Sequence, residues 1–521
     1  METGAIVSLS VYFVGMLAIG FYAWRKSTQN IKGFLLGGRD LGPAVAALSA
    51  GAADMSGWLL MGLPGAMYLS GLGSSWIAIG LLAGAFANYL IVAPRLRAHT
   101  EQAGDSITVP QFFENRFEDK SRALRAISAV VIIIFFTLYT SSGMVAGGKL
   151  FESAFGADYA FGLWLTAGVI IVYTAFGGFL AVSLTDFVQG AIMFVALVLV
   201  PIVALTEVGG LSIAAAEVAR VNPAFMDIIG DLGIVAIISS LAWGLGYFGQ
   251  PHIIVRFMAV RSIRDVPLMR AIGMSWMLVT LLGALATGFV GLAYATRIGL
   301  DVADPETIFI ILSDLLFHPL ITGFLLAALL AAIMSTISSQ LIVSSSSLTE
   351  DFYRSWFRRE ASERELVRVG RISVVLVALV AIFLAYDPDN SILGLVANAW
   401  AGFGAAFGPI VLLGLTWKRM TRNGALAGMV LGAATVLFWI YAPVLEGGAA
   451  LTSLIYEMVP GFLICSAAAI IVSLLDKPPP EAVVRTFEAS DAQRRAARSG
   501  ASGNALTDDV AGRGVAADQE I

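Results

Sequence analysis

Apolar runs of about 20 residues, parted by short polar stretches, recur from residue 5 to residue 475, and a helix of that length spans a hydrocarbon core of about 30 Å. Thirteen spans are predicted, over 5–23, 43–69, 72–93, 124–149, 158–180, 184–206, 232–256, 271–296, 319–347, 369–386, 390–416, 424–443 and 454–475. The chain therefore reads as an all-α integral membrane protein. Basic residues test the count, because Lys and Arg gather in cytoplasmic loops and loops alternate sides. With thirteen spans, 29 of the 32 Lys and Arg fall on one side, and only Lys149, Arg220 and Arg297 on the other. The N-terminus is then expected outside and the C-terminus in the cytoplasm of a multi-pass protein of the cytoplasmic (inner) membrane. Met1-Glu-Thr-Gly lacks the basic start of a cleavable signal peptide, so the first run is kept as a true span.

Composition agrees: 58% of the 521 residues are hydrophobic and 13% charged, far from the balance of a soluble enzyme. The net charge of −5 combines basic loops on one face with acidic ones on the other, and carries no sign of nucleic-acid binding. One cysteine, Cys465, excludes an intramolecular disulfide framework, and His99, His252 and His318 are too scattered for a structural metal. After Lys477-Pro-Pro-Pro480 the chain turns polar and poor in large apolar residues, as in a mobile tail, with a short helix predicted near 481–498.

Chemistry enters with Asp54, an acid in the second span. At the centre of a membrane helix a carboxylate costs roughly 2.5–3.5 kcal/mol on insertion scales and is kept where it faces a cavity, a partner or a cation. Gly51 and Gly57 flank it and let the helix open, freeing backbone carbonyls. Two readings stand: an acid that only stabilises the break, or one that shapes a cation path. The seventh span is also interrupted, at Trp243-Gly-Leu-Gly-Tyr247-Phe-Gly-Gln-Pro251. If five-helix units begin at spans two and seven, the two interruptions hold equivalent places, which points to a site at the membrane midplane. No residue-level repeat links the halves. Trp243 and Tyr247 read either as packing aromatics or as pocket walls. Ser335 and Thr336, in the ninth span, suit interhelical hydrogen bonding or an oxygen cage for a hard cation. Asp186 is expected to cap a cytoplasmic helix start, and Arg39 to be a positive-inside anchor.

Several segments carry a resemblance: Leu36-Gly-Gly-Arg39; Leu48 through Gly65, centred on Asp54-Met-Ser-Gly-Trp58; Trp243 through His252; Met334-Ser-Thr336; Trp400-Ala-Gly-Phe-Gly-Ala-Ala-Phe-Gly-Pro409; and Gly414 through Gly432. They resemble the bacterial sodium/proline symporters of the sodium:solute symporter family from residue 5 to about 475. The resemblance implies a leucine-transporter-type core of two inverted five-helix repeats. Residues 1–42 would form an extra helix and cytoplasmic loop, 43–206 the first repeat and 207–416 the second. Two more helices would lie in 417–475, followed by a flexible cytoplasmic tail, 476–521.

It implies a sodium site made of the Ala52, Met55 and Ala332 carbonyls with the Ser335 and Thr336 hydroxyls, organised by Asp54. Ser56, Gly57, Trp58, Tyr139, Trp243, Tyr247 and Pro251 would line the solute pocket. Ser339, Ser344 and Thr140 stand where close relatives tend to carry cysteines. The implied activity is symport of L-proline with the sodium ion across the lipid bilayer, with no protein partner evident. A solute receptor would carry an output domain, which the tail of about 45 residues is too short to form. An intramembrane enzyme would need a convergent nucleophile or metal cluster, which Asp54 and scattered hydroxyls do not make.

Overall fold

A computed structural model describes residues 3–27, 30–230, 232–387, 391–445 and 448–499. The first helices are α1 (Thr3–Ser27), α2 (Ile31–Leu36), α3 (Pro43–Asp54), α4 (Leu63–Ser70), α5 (Ser75–Gln102), α6 (Val109–Arg116), α7 (Ala123–Phe155), α8 (Tyr159–Val208) and α9 (Leu211–Val221). There follow α10 (Ile234–Leu241), α11 (Pro251–Ala259), α12 (Val266–Ile298), α13 (Ile308–Leu316), α14 (Pro319–Ser346), α15 (Glu363–Leu384), α16 (Ile392–Thr416), α17 (Arg422–Tyr441), α18 (Met458–Leu475) and α19 (Glu481–Ser499). Helix starts follow local chemistry. Asn30, Thr108, Ser362, Ser391 and Thr421 each accept a first-turn N–H, and Pro43, Pro251 and Pro319 stand where no N–H is needed.

Among the described residues, ten helices are long and apolar enough to cross a membrane, eleven if the bent pair Ile234–Phe248 and Pro251–Ala259 counts as one. This differs from the thirteen read from the sequence, because helices run on through glycine kinks. Trp58–Gln102 forms one 45-residue stretch, which turns at Gly71 (φ 62°, ψ −151°). Tyr159–Val208 forms another, of 50 residues, about 75 Å of helix and far more than one crossing needs. It leaves helical geometry at Gly178 (φ 62°, ψ −159°).

α14 and α16 are the most enclosed of the candidate spans; α14 packs against α1, α3, α7 and α8, with Ala328–Thr336 fully or almost fully buried. Close approach elsewhere depends on glycine: a Cβ on Gly84 of α5 would lie 2.0 Å from the Gly244 carbonyl oxygen. The polar tail forms the helix expected near 481–498. Over Glu481–Ser499 it is a helix packed on α5, with Val483 and Ser490 buried and Phe487 over the Arg116 guanidinium at 5.0 Å. Residues 500–521 of the expected tail lie outside the described residues.

Candidate functional site

α3 stops at Asp54 and the backbone leaves helical geometry at Met55 (φ −80°, ψ 78°). A helix end releases its last carbonyls, which must find other partners. The Ser335 hydroxyl of α14 donates to the Ala52 carbonyl oxygen at 2.7 Å, and the Thr336 hydroxyl lies 3.5 Å from the same oxygen. Ser335 Oγ is also 3.1 Å from the Ala332 carbonyl oxygen. Four of the five oxygens named for sodium thus converge between α3 and α14, all buried. The fifth residue, Met55, lines a small cavity beside Asp54.

Asp54 itself faces elsewhere. Two residues along a helix are about 200° apart around its axis, so Ala52 and Asp54 address different neighbours. The Tyr247 hydroxyl donates to Asp54 Oδ2, the Trp58 indole N–H donates to the Asp54 carbonyl at 3.1 Å, and Oδ1 is buried with no hydrogen-bond partner. The adjoining cavity, walled also by Asn88, Tyr89 and Met277, measures about 20 Å3, room for little more than one water. Asp54 therefore ties the α3 break to the 3-10 turn Ala242–Phe248.

Both breaks contribute to an aromatic core. Tyr139 of α7 lies beside Ser56 and Trp58 and meets His252 edge-on at 5.9 Å. Tyr247 meets Trp400 of α16 edge-on at 5.1 Å, and the Trp400 indole donates to the Trp243 carbonyl at 2.7 Å. Trp243 stacks on Tyr456 at 5.4 Å. Gly57 fits against Ala146, where a Cβ would come within 3.0 Å, and Pro251 opens α11. Trp58, Tyr139, Trp243 and Tyr247 are each at most 7% exposed, so this conformation holds them away from solvent. Trp400 and Tyr456 were not given roles from the sequence. Trp400 stands in a segment singled out above, whereas nothing around Tyr456 marks it.

One expectation is corrected. Asp186 is not a helix cap. It lies within α8, fully buried, and pairs with Arg256 of α11 at 3.0 Å while accepting from Ser49 of α3 at 2.7 Å. Arg256 also donates to Ser49 at 3.0 Å and to Ser339 of α14 at 2.6 Å. A buried ion pair persists only when such bonds satisfy it. Arg39, 8% exposed, donates to the Met258 carbonyl at 2.9 Å and pairs with Asp105 at 2.9 Å. Burial alone would raise the Asp105 carboxyl, but Lys32 and Arg39 together hold it below the usual carboxylate range.

The sodium:solute symporter family profile matches residues 34–432. The osmoregulated proline transporter OpuE of Bacillus subtilis (strain 168) is 60% identical over 487 residues, covering 94% of this chain and 98% of that protein. A sodium/proline symporter of Staphylococcus aureus (strain JH9) is 53% identical over 478 residues, covering 91% of this chain and 93% of its own. Among solved structures, a substrate-bound, outward-open sodium-coupled sialic acid symporter superposes with a TM-score of 0.78 at 19% identity, covering 92% of this chain and 99% of that one, which shows a shared fold. With the family match spanning more than half its length and relatives this similar along nearly all of it, the chain belongs to the sodium:solute symporter family.

Proposed function

We propose that this protein is a sodium/proline symporter of the bacterial cytoplasmic membrane, taking up L-proline by alternating access. The observation that carries the reading is the convergence of the Ala52 and Ala332 carbonyls with the Ser335 and Thr336 hydroxyls at the α3 break. Hard cations prefer oxygen ligands, and these four belong to two helices that a bound ion would hold together. Met55 supplies the fifth oxygen once its carbonyl turns to the same point. Relatives 53–60% identical are named as proline transporters.

Asp54 organises the broken helix and adds negative charge nearby without ligating the ion. The proline ring lies against Tyr139, Trp243 and Tyr247, and its carboxylate meets the opened backbone at Ser56, Gly57 and Trp58, with Pro251 closing the pocket. Sodium filling the α3–α14 site draws Asp54 and Tyr247 into the geometry proline needs, a positive coupling between two ligands. At 100 mV one inward sodium charge contributes about 2.3 kcal/mol, enough for roughly fiftyfold accumulation before its own gradient is added.

The stretches that turn at Gly71 and Gly178 each count as two crossings in this reading, and Pro43–Asp54 joins the segment up to Ser70 as one, which restores thirteen. The N-terminus is then outside, the C-terminus cytoplasmic, and 43–206 and 207–416 form inverted five-helix repeats flanked by 1–42 and 417–475. Binding of labelled L-proline to the purified protein, in sodium and in potassium, tests the proposal. Sodium tightens binding to the native protein, and Asp54→Asn loses that effect while remaining folded. Equal affinity of the native protein in both salts overturns it.

A further inference from the structure

On the side of the molecule that carries the arginine-rich loops, α5, the start of α12 and α19 enclose a second cavity, of about 730 Å3. Five arginines line it: Arg95 of α5, Arg264 and Arg270 around the start of α12, and Arg494 and Arg498 of α19. Arg494 and Arg498 each lie close enough to Arg95 to repel it, with Asp491 near enough to offset part of that repulsion. Of the nearby acids, Asp491 offsets one of these five, Arg494, at 2.5 Å and also meets Arg495 at 2.7 Å, whereas Glu101 pairs with Arg97 at 2.8 Å and Asp265 with Arg261 at 2.6 Å, both outside the cavity. Arg270 rests over the Phe86 ring at 5.9 Å. So many cations around one void leave a positive charge that an anion would neutralise.

The remaining wall is apolar. Leu90, Ile91 and Pro94 of α5 belong to it, and Leu90, 43% exposed, continues onto the outer surface of a membrane-spanning stretch, as Leu268 does on α12 at 54%. A void of this size, lined by both arginines and apolar side chains, matches a phospholipid rather than a free ion. We propose that it binds the phosphate headgroup of an anionic phospholipid, bridged between Arg270 and Arg498, with the acyl chains running along Leu90. Arginine suits this role because its guanidinium meets phosphate oxygens two at a time. Bound lipid then fastens α19 to the transporter body. Tyr89 lines both this cavity and the one beside Asp54, so the lipid sits one side chain from the candidate transport site. The inference requires membrane insertion but neither proline nor sodium.

The test uses the full-length protein in phosphatidylcholine nanodiscs with and without phosphatidylglycerol. Retained lipid is counted by native mass spectrometry after extraction, and docking of α19 is read from the rate of limited proteolysis within 481–499. Phosphatidylglycerol is expected to be retained over phosphatidylcholine and to slow cleavage. Arg270→Gln and Arg498→Gln each weaken retention about fivefold, while Arg359→Gln, exposed on the same side but outside the cavity, changes nothing. Should the Arg270 variant fail to fold, Arg498→Gln near the end of α19 carries the test alone. Equal retention of the two lipids, or unchanged retention in Arg498→Gln, overturns the proposal. Inorganic phosphate slowing cleavage as strongly without phosphatidylglycerol would make the ligand a soluble anion and overturn the lipid assignment.

Discussion

Thr336 and Ser335 show what a single hydroxyl contributes. Thr336 is 2% exposed, and its hydroxyl lies 3.5 Å from the Ala52 carbonyl oxygen, a distance too long for a strong hydrogen bond. In the proposed sodium site this hydroxyl is one of the five oxygen ligands. Thr336→Val keeps the shape and removes one oxygen, and bonds to charged groups contribute about 1.5–3 kcal/mol. The sodium concentration for half-maximal uptake is therefore expected to rise about tenfold or more, with little loss of folded protein. An unchanged sodium dependence removes Thr336 from the site. The residue types were legible in the sequence, since an acid and paired hydroxyls among apolar residues need a reason. Which atoms meet was not. Asp54 bonding Tyr247, 193 positions away, and Asp186 pairing with Arg256, 70 positions away, are products of tertiary packing that no local pattern encodes.

At the scale of elements, glycine and proline carried the readable signal, and also the misleading one. The first interruption falls at Met55, between the flanking Gly51 and Gly57, which are themselves helical, and the second at the 3-10 turn Ala242–Phe248 before Pro251. Gly71 and Gly178 take positive φ, yet helix resumes after each, through a 3-10 turn over Gly71–Ser74 and directly after Gly178, so apolar runs read as separate spans join into long stretches. The tail helix was half legible: Val483, Phe487 and Ser490 recur at helical spacing, but its polar composition argued for a free segment. Gly178 offers a direct check. Its φ of 62° with ψ of −159° is a region essentially reserved for glycine, and a Cβ there would lie 2.7 Å from a Phe34 ring carbon. Gly178→Ala is expected to cost about 1–3 kcal/mol, read as a lower thermal unfolding midpoint in detergent. An unshifted midpoint would mean that the kink relaxes into continuous helix.

At the scale of the whole molecule, two buried layers join the helices that hold the site. One is the α3–α14 oxygen cluster, and the other is the Asp186–Arg256 pair with Ser49 and Ser339. Ser49 precedes Ala52 by three residues and Ser339 follows Ser335 by four, so the ion pair stacks about one helical turn from the oxygens. In the proposed topology it closes the cytoplasmic side and must part for release. Asp186→Ala leaves the Arg256 guanidinium buried and unpaired, and is expected to destabilise the protein by about 3–5 kcal/mol. Adding Arg256→Met should return most of that loss, because no buried charge is then left uncompensated. A double variant no more stable than the single one would show that the pair does not act as a unit. Closure on this side, with the aromatic residues of the site shielded from solvent, fits a cycle in which sodium and proline are enclosed together before release.

The central claim is that sodium moving inward drives proline uptake. Labelled L-proline uptake into proteoliposomes holding the purified protein, under inward gradients of sodium, lithium, potassium or protons, tests it most directly. Accumulation above equilibrium with the sodium gradient, and none with potassium, is the expected result. Uptake that proceeds equally under every gradient, or no proline accumulation under any of them, would contradict it.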